Sequence, residues 1–149
     1  MAVPYKIVVD CADPHLLAAF WAAALDYVVE DHSALIRRLL DGGVVQDSDT
    51  AMVAGRLSWA AAAACRDPDA PVDPEVGSGL GGRVLFQVVP EPKSVKNRVH
   101  LDLHVGVERR PEVVRRLVEL GGQVLWEGRQ GPSTWITMAD PEGNEFCVA

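Results

Sequence analysis

The chain has 149 residues, 48% hydrophobic and 23% charged, with a formal net charge of −7. That is the composition of a globular protein with enough length for one real core. The acidic balance, with only short and interrupted basic stretches at Lys93–Arg98 and Arg109–Arg116, argues against a nucleic-acid or anionic-membrane surface.

Tyr5 to Cys11 alternates like a strand, with Ile7 and Val9 on one face and Lys6, Val8 and Asp10 on the other. Asp13 is a natural N-cap and Pro14 suits a first helical position. Leu16, Leu17, Phe20, Trp21 and Leu25 then recur at helical spacing, which predicts an amphipathic helix over 15–25. Tyr27 to Glu30 is a short strand and Ser33 to Asp41 a second helix, stopped by Gly42-Gly43. Ala51 to Trp59 suggests strand material with a turn at Gly55, while Ala60 to Ala64 fits either a strand or a helical turn. Three prolines and four glycines make 67–82 the longest loop. Arg83 to Val89 is a strand, broken by Pro90 and Pro92.

Arg98 to Val105 alternates strictly. Val99, Leu101, Leu103 and Val105 point one way, and Arg98, His100, Asp102 and His104 the other, as in a half-buried strand. Pro111 opens a helix through Leu120, whose apolar face is expected to pack on that strand. Strands follow at 123–127, 133–139 and 145–148, with a glycine-bounded loop at 128–132 and a Pro-Gly-Asn turn at 140–144.

Three cysteines, Cys11, Cys65 and Cys147, form no Cys-x-x-Cys pair and suit a reducing compartment. The start MAVPYKIVVD has neither the basic region nor the long apolar run of a signal peptide, and Ala60–Ala64 is too short to span a bilayer. The expectation is a cytoplasmic protein without membrane or nucleic-acid partners.

The two halves match in order: strand, helix, then further strands. The expected fold is α+β, with two tandem βαβββ modules forming a curved mixed sheet around one cleft. Module 1 is 5–90, with an inserted helix and loop at 31–82, and module 2 is 97–149, together one domain over 1–149. With the apolar faces packed under the helices, Lys6, Asp10, Gln87, His100, Asp102, His104, Glu145 and Cys147 look into the cleft.

This pattern resembles the vicinal oxygen chelate superfamily, which includes glyoxalase I, extradiol dioxygenases, and bleomycin and fosfomycin resistance proteins. The residues that carry the likeness are Val8-Val-Asp-Cys-Ala-Asp-Pro14 with Phe20-Trp21, Leu85-Phe86-Gln87 with Val89-Pro-Glu-Pro-Lys93, Lys96-Asn-Arg-Val-His-Leu-Asp-Leu103, and Ala139-Asp-Pro-Glu-Gly-Asn-Glu-Phe-Cys147. They resemble most the glyoxalase-like proteins common in actinobacteria. The resemblance implies one metal ligand on the first and last strand of each module. Carried over, those slots are Lys6, Gln87, His100 and Cys147, of which only His100 is the His or Glu the pattern wants. The resemblance therefore implies no catalytic metal, with a divalent ion at His100 as the alternative. Homodimers are habitual in the superfamily, and a homodimer is expected here.

Two readings follow. In the first, the protein binds a small organic molecule through Lys6, Asp10, Trp59, Gln87, Arg98, His104, Trp135, Glu145 and Cys147, with Trp59 and Trp135 offering planar faces. In the second it is a lyase- or isomerase-type enzyme using His100 and Asp102 as acid and base. Lys6 and Asp10 are expected to pair with Asp102 and His100 across the sheet, and Trp21 and Trp126 to be packing residues. No phosphate loop, Gly-x-Ser-x-Gly or His-Glu-x-x-His motif is present.

Overall fold

A computed structural model describes all 149 residues. The first half runs β1 (Ile7–Cys11), α1 (Pro14–Leu25), β2 (Val28–Val29), α2 (Ser33–Asp41), β3 (Thr50–Val53), β4 (Arg56–Trp59), β5 (Ala62–Arg66) and β6 (Arg83–Val88). The second runs β7 (Asp102–Leu103), α3 (Arg110–Glu119), β8 (Gln123–Gln130), β9 (Ser133–Ala139) and β10 (Glu145–Val148). One four-stranded sheet has the order β1-β6-β5-β2 and the other β7-β10-β9-β8. In each, the first strand lies parallel to the last and the remaining pairs are antiparallel. The repeat read in the sequence is thus a repeat of topology.

Register makes the correspondence residue by residue. Asp10 pairs with Gln87, and Asp102 pairs with Cys147. Asp102 is therefore the counterpart of Asp10, and His100 the counterpart of Val8 rather than of Lys6. The slot assigned to Lys6 from sequence is displaced by two residues, one full pleat repeat, which preserves the face and so escapes a reading by alternation alone.

Helix α1 begins where Asp13 accepts from the amides of His15 at 3.1 Å and Leu16 at 3.0 Å, with Pro14 in the first turn. Seven of its twelve residues are buried, so it lies inside the core rather than on it. Phe20 and Trp21 both meet Phe146 of β10 edge to face, with ring centroids at 5.9 and 4.9 Å. Leu17, Phe86, Leu117 and Met138, all fully buried, join the two halves into one apolar cluster. Arg116 of α3 donates to the Ala23 carbonyl and to Asp26, tying the two helices together.

The insertion between β2 and β5 has no counterpart in the second half. Its hairpin, β3–β4, turns through Ala54 and Gly55, both at positive φ (48° and 77°), as a tight two-residue hairpin requires. Ala60–Ala64, ambiguous in the sequence, resolves into the start of β5, because Ala62–Arg66 find a partner in β6.

Three local expectations change. The strand expected over 98–105 keeps ladder pairing only at Asp102–Leu103. Upstream, Asn97 gives its amide to the Glu145 side chain at 2.9 Å instead of to a backbone carbonyl, and Val99 is left exposed. The loop expected at 128–132 is a hairpin, since β8 continues to Gln130 and turns at Gly131 (φ 56°). Trp126, expected in the core, is 48% exposed. A bulge between Val124 and Trp126 shifts the pairing by one residue and turns the indole to the face away from the core.

Candidate functional site

The edge strand β1 and the segment leading into β7 bound a cleft of about 630 Å³ together with the 140–145 turn. Val8, Val99 and Leu101 supply apolar wall; Asp10, His100 and Glu145 supply polar groups. Glu145 is held in place by Lys93 at 3.1 Å and the Asn97 amide at 2.9 Å. Burial would raise the Glu145 carboxyl, but these donors outweigh it and hold the group below its usual range.

His100, which lines the cleft, comes together with Asp102 and Cys147, which do not, with one ligand atom from each lying within 4.8 Å of the others. His100 Nε2 is 3.3 Å from Asp102 Oδ1. Residues two apart on a regular strand stand roughly 7 Å apart. The contact forms because His100 precedes the two-residue β7 and is free to lean. Both side chains are partly open to solvent, 40% and 51% exposed. Cys147 is placed by register, directly across from Asp102 on one side and Thr137 on the other, with Thr137 Oγ1 3.7 Å from its sulfur. Burial and the neighbouring Asp102 carboxylate push the thiol up, while the Thr137 contact offsets part of the shift.

The other residues named from sequence are dispersed. Asp102 and His104 border a smaller cavity of about 320 Å³ shared with Tyr27 and Arg83. Lys6, Gln87 and Arg98 are exposed. No ion pair links Lys6 or Asp10 to His100 or Asp102; the ion pairs here run Lys93–Glu145 and His100–Asp102 instead. An exposed Lys6 remains hydrated and needs no partner. Trp135 crosses the strand to lie on Gly128, where any Cβ would overlap its indole. Trp59 lies on a different cavity, bounded by the inserted hairpin.

Sequence reasoning missed a buried network at the end of β2. Glu30, with no side-chain exposure, accepts from Arg83 Nε and NH2, each at 2.8 Å, from the Gly79 amide at 2.7 Å, and from His32 Nε2 at 2.9 Å. Burial alone would raise its carboxyl, but the hydrogen bonds from His32, Arg83 and Gly79 bring it down to about 2. A carboxylate directly after the apolar Tyr27-Val28-Val29 was the available signal; its partners 49 and 53 residues away were not visible.

The profile of the glyoxalase-like domain family matches residues 6–149. No curated protein matches the sequence. Among solved structures, a hypothetical protein of S. aureus shares 13% identity at a TM-score of 0.61, covering 99% of this chain and 93% of that one. The fosfomycin resistance protein FosX from Mesorhizobium loti shares 11% at 0.60, covering 99% and 90%. FosX from Listeria monocytogenes, in complex with Mn(II) and a dihydroxypropylphosphonic acid, shares 10% at 0.59, covering 99% and 89%. At these identities the likeness is one of fold. No helix is long and apolar enough to cross a membrane.

Proposed function

This chain belongs to the glyoxalase-like domain family, and on that premise we propose that it binds a small organic molecule in the cleft between β1 and the segment leading into β7. One observation carries the reading: about 630 Å³ of largely apolar space lined by Asp10, His100 and Glu145 from three different segments. That volume falls within the roughly 300–1,000 Å³ usual for small-molecule sites. The ligand this wall suits is compact and mostly apolar, with hydrogen-bonding groups at one end. The first half places Val8, Asp10 and Gln87 at the positions matching His100, Asp102 and Cys147, so at those positions it offers a single carboxylate and no imidazole or thiolate. The expected assembly remains a homodimer.

A second reading rests on the His100–Asp102–Cys147 cluster. Its nitrogen, oxygen and sulfur donors fit a borderline-soft ion such as Zn(II) better than the oxygen-preferring Mn(II). Such an ion, when bound, polarises an oxygen of a ligand. Without it, the His100 imidazole and the Asp102 carboxylate, 3.3 Å apart, would serve as acid and base.

Metal analysis of protein purified without a histidine tag separates the two readings. The binding reading expects less than stoichiometric metal, and amide shifts at Val8, Asp10 and Leu101 when a fragment panel is titrated. A stoichiometric Zn, Ni, Fe or Mn ion, lost in His100→Ala, would overturn it in favour of the second.

A further inference from the structure

Strand β8 is the longest in the molecule and lies at the outer edge of its sheet, paired with β9 on one side only. Seven of its eight residues are exposed, among them the consecutive apolar side chains Val124, Leu125 and Trp126. The other sheet edges differ. β2, its counterpart in the first half, and β7 are two residues long, and β1 borders the cleft. A long bare edge leaves a row of backbone donors and acceptors ready to pair with another strand.

The side chains of β8 are complementary to β8 itself. Pairing with β9 fixes their faces: Glu127 and Arg129 share the face of Ile136 and Thr134, and Trp126 and Gly128 share the face of Trp135 and Thr137. Neither Glu127 nor Arg129 forms an ion pair within the chain. Two copies of β8 related by a twofold axis run antiparallel, and each register that keeps the faces sets one residue opposite itself. With Glu127 on the axis two carboxylates face each other, and with Arg129 on the axis two guanidinium groups do. With Trp126 on the axis both charged residues face uncharged ones, Leu125 and Gln123. With Gly128 on the axis each Glu127 faces the partner's Arg129, twice over. The Trp135 indole lies over Gly128, in the space a Cβ would take. The same register therefore brings the two indoles together on the opposite face. Opposite-charge and aromatic cross-strand pairs both stabilise a ladder.

We propose that β8 is a dimer interface, pairing antiparallel with β8 of a second copy of this chain about Gly128. The two four-stranded sheets then become one continuous sheet, β7-β10-β9-β8 followed by its symmetry mate. The charges that would discourage other strands from joining this edge admit the one register in which they pair. The inference names the surface of the homodimer expected above and rests on that expectation; it is independent of what the cleft binds.

The test is sedimentation equilibrium of the full chain, with amide hydrogen exchange at high and low protein concentration. The natural chain is expected to form a reversible dimer, with amides of 126–130 protected more strongly at high concentration. Arg129→Glu raises the dissociation constant at least about tenfold, as does Glu127→Arg, because each replaces two attractive pairs by two repulsive ones. The double variant Glu127→Arg/Arg129→Glu returns it close to the natural value, since the pairs form again with exchanged signs. A chain that stays monomeric at every concentration overturns the inference together with the expected dimer. A dimer indifferent to both single reversals, or not restored by the double one, overturns the interface and leaves the dimer standing. Should a variant fail to fold, the concentration dependence of exchange at 126–130 in the natural chain still decides.

Discussion

Trp21 Nε1 donates a 3.0 Å hydrogen bond to Asp140 Oδ2, joining the first helix to the last turn across 119 residues of sequence, with both groups buried. Asp140 also accepts from the Glu142 and Asn144 amides and from the Asn144 side chain. Glu142, ordered by the same turn, accepts from the amides of Ala12 and Asp13 at 2.7 and 2.9 Å. The Asp-Pro-Glu-Gly-Asn turn is therefore a clamp between the two halves. Asp140→Ala leaves the buried Trp21 donor unpaired and frees the turn, with an expected cost of about 2–4 kcal/mol. Urea unfolding checks it: the midpoint falls while the slope stays unchanged.

The Glu30–His32 pair makes stability depend on pH at both ends. The hydrogen bond to Glu30 raises the His32 pKa above its usual 6.5, against burial, which lowers it, and with help from the Val76 carbonyl. A group whose folded pKa is raised stabilises fully below its unfolded value and less as pH climbs through the folded one. The His32 contribution is thus complete below pH 6.5 and is lost on the alkaline side. The Glu30 carboxyl, lowered from 4.5 to about 2, contributes above pH 4.5 and is lost as pH falls toward 2. Melting temperatures are expected to plateau between these limits, and the gap between the natural chain and His32→Gln to shrink as pH climbs past 6.5. A gap independent of pH would show that His32 is neutral.

Thiol reactivity reports on the cluster at the cleft. Burial first, then the charges of Glu142, Asp13, Asp10 and Asp140, push the Cys11 thiol up to about 12. Burial does the same for Cys65, pushed up to about 12. Neither is expected to react with dithiobis(nitrobenzoate) at pH 8 until the protein unfolds. Cys147 is half-buried, and its thiol is raised by burial and by the adjacent Asp102 carboxylate. Asp102→Asn is expected to speed its reaction severalfold; no change would mean that Asp102 does not act on the sulfur.

Gly128 is needed for what crosses it. The Trp135 indole occupies the space a Cβ would take. Gly128→Ala forces the ring off the strand, at an expected cost of about 1–3 kcal/mol. A red-shifted tryptophan emission should accompany the loss, and Trp135→Phe should abolish that spectral change.

Much of the fold was legible in the sequence because it depended on local rules. The 15–25 helix followed from Asp13-Pro14 and the apolar spacing, the 140–144 turn from Pro and Gly, and the repeated order of elements from periodicity. Alternation also identified the faces of β1 and β10, since a period of two survives whatever the partner strand is. It could not identify pairing. A slip of two residues preserves every face, so only the ladder decided that Val8, not Lys6, matches His100. Only the bulge in β8 decided that Trp126 faces away from the core.

The sequence by itself determined the class of fold and the residues rich in chemistry, because composition, caps and apolar period act over a few neighbouring residues. The tertiary structure alone decided which of those residues meet. His100 reaches Asp102 because β7 is short, Glu30 finds Arg83 because β2 and β6 lie in one sheet, and Ala63 meets Phe86 because β5 and β6 pair. Each is a contact between distant segments, set by register and packing, and no local pattern encodes it.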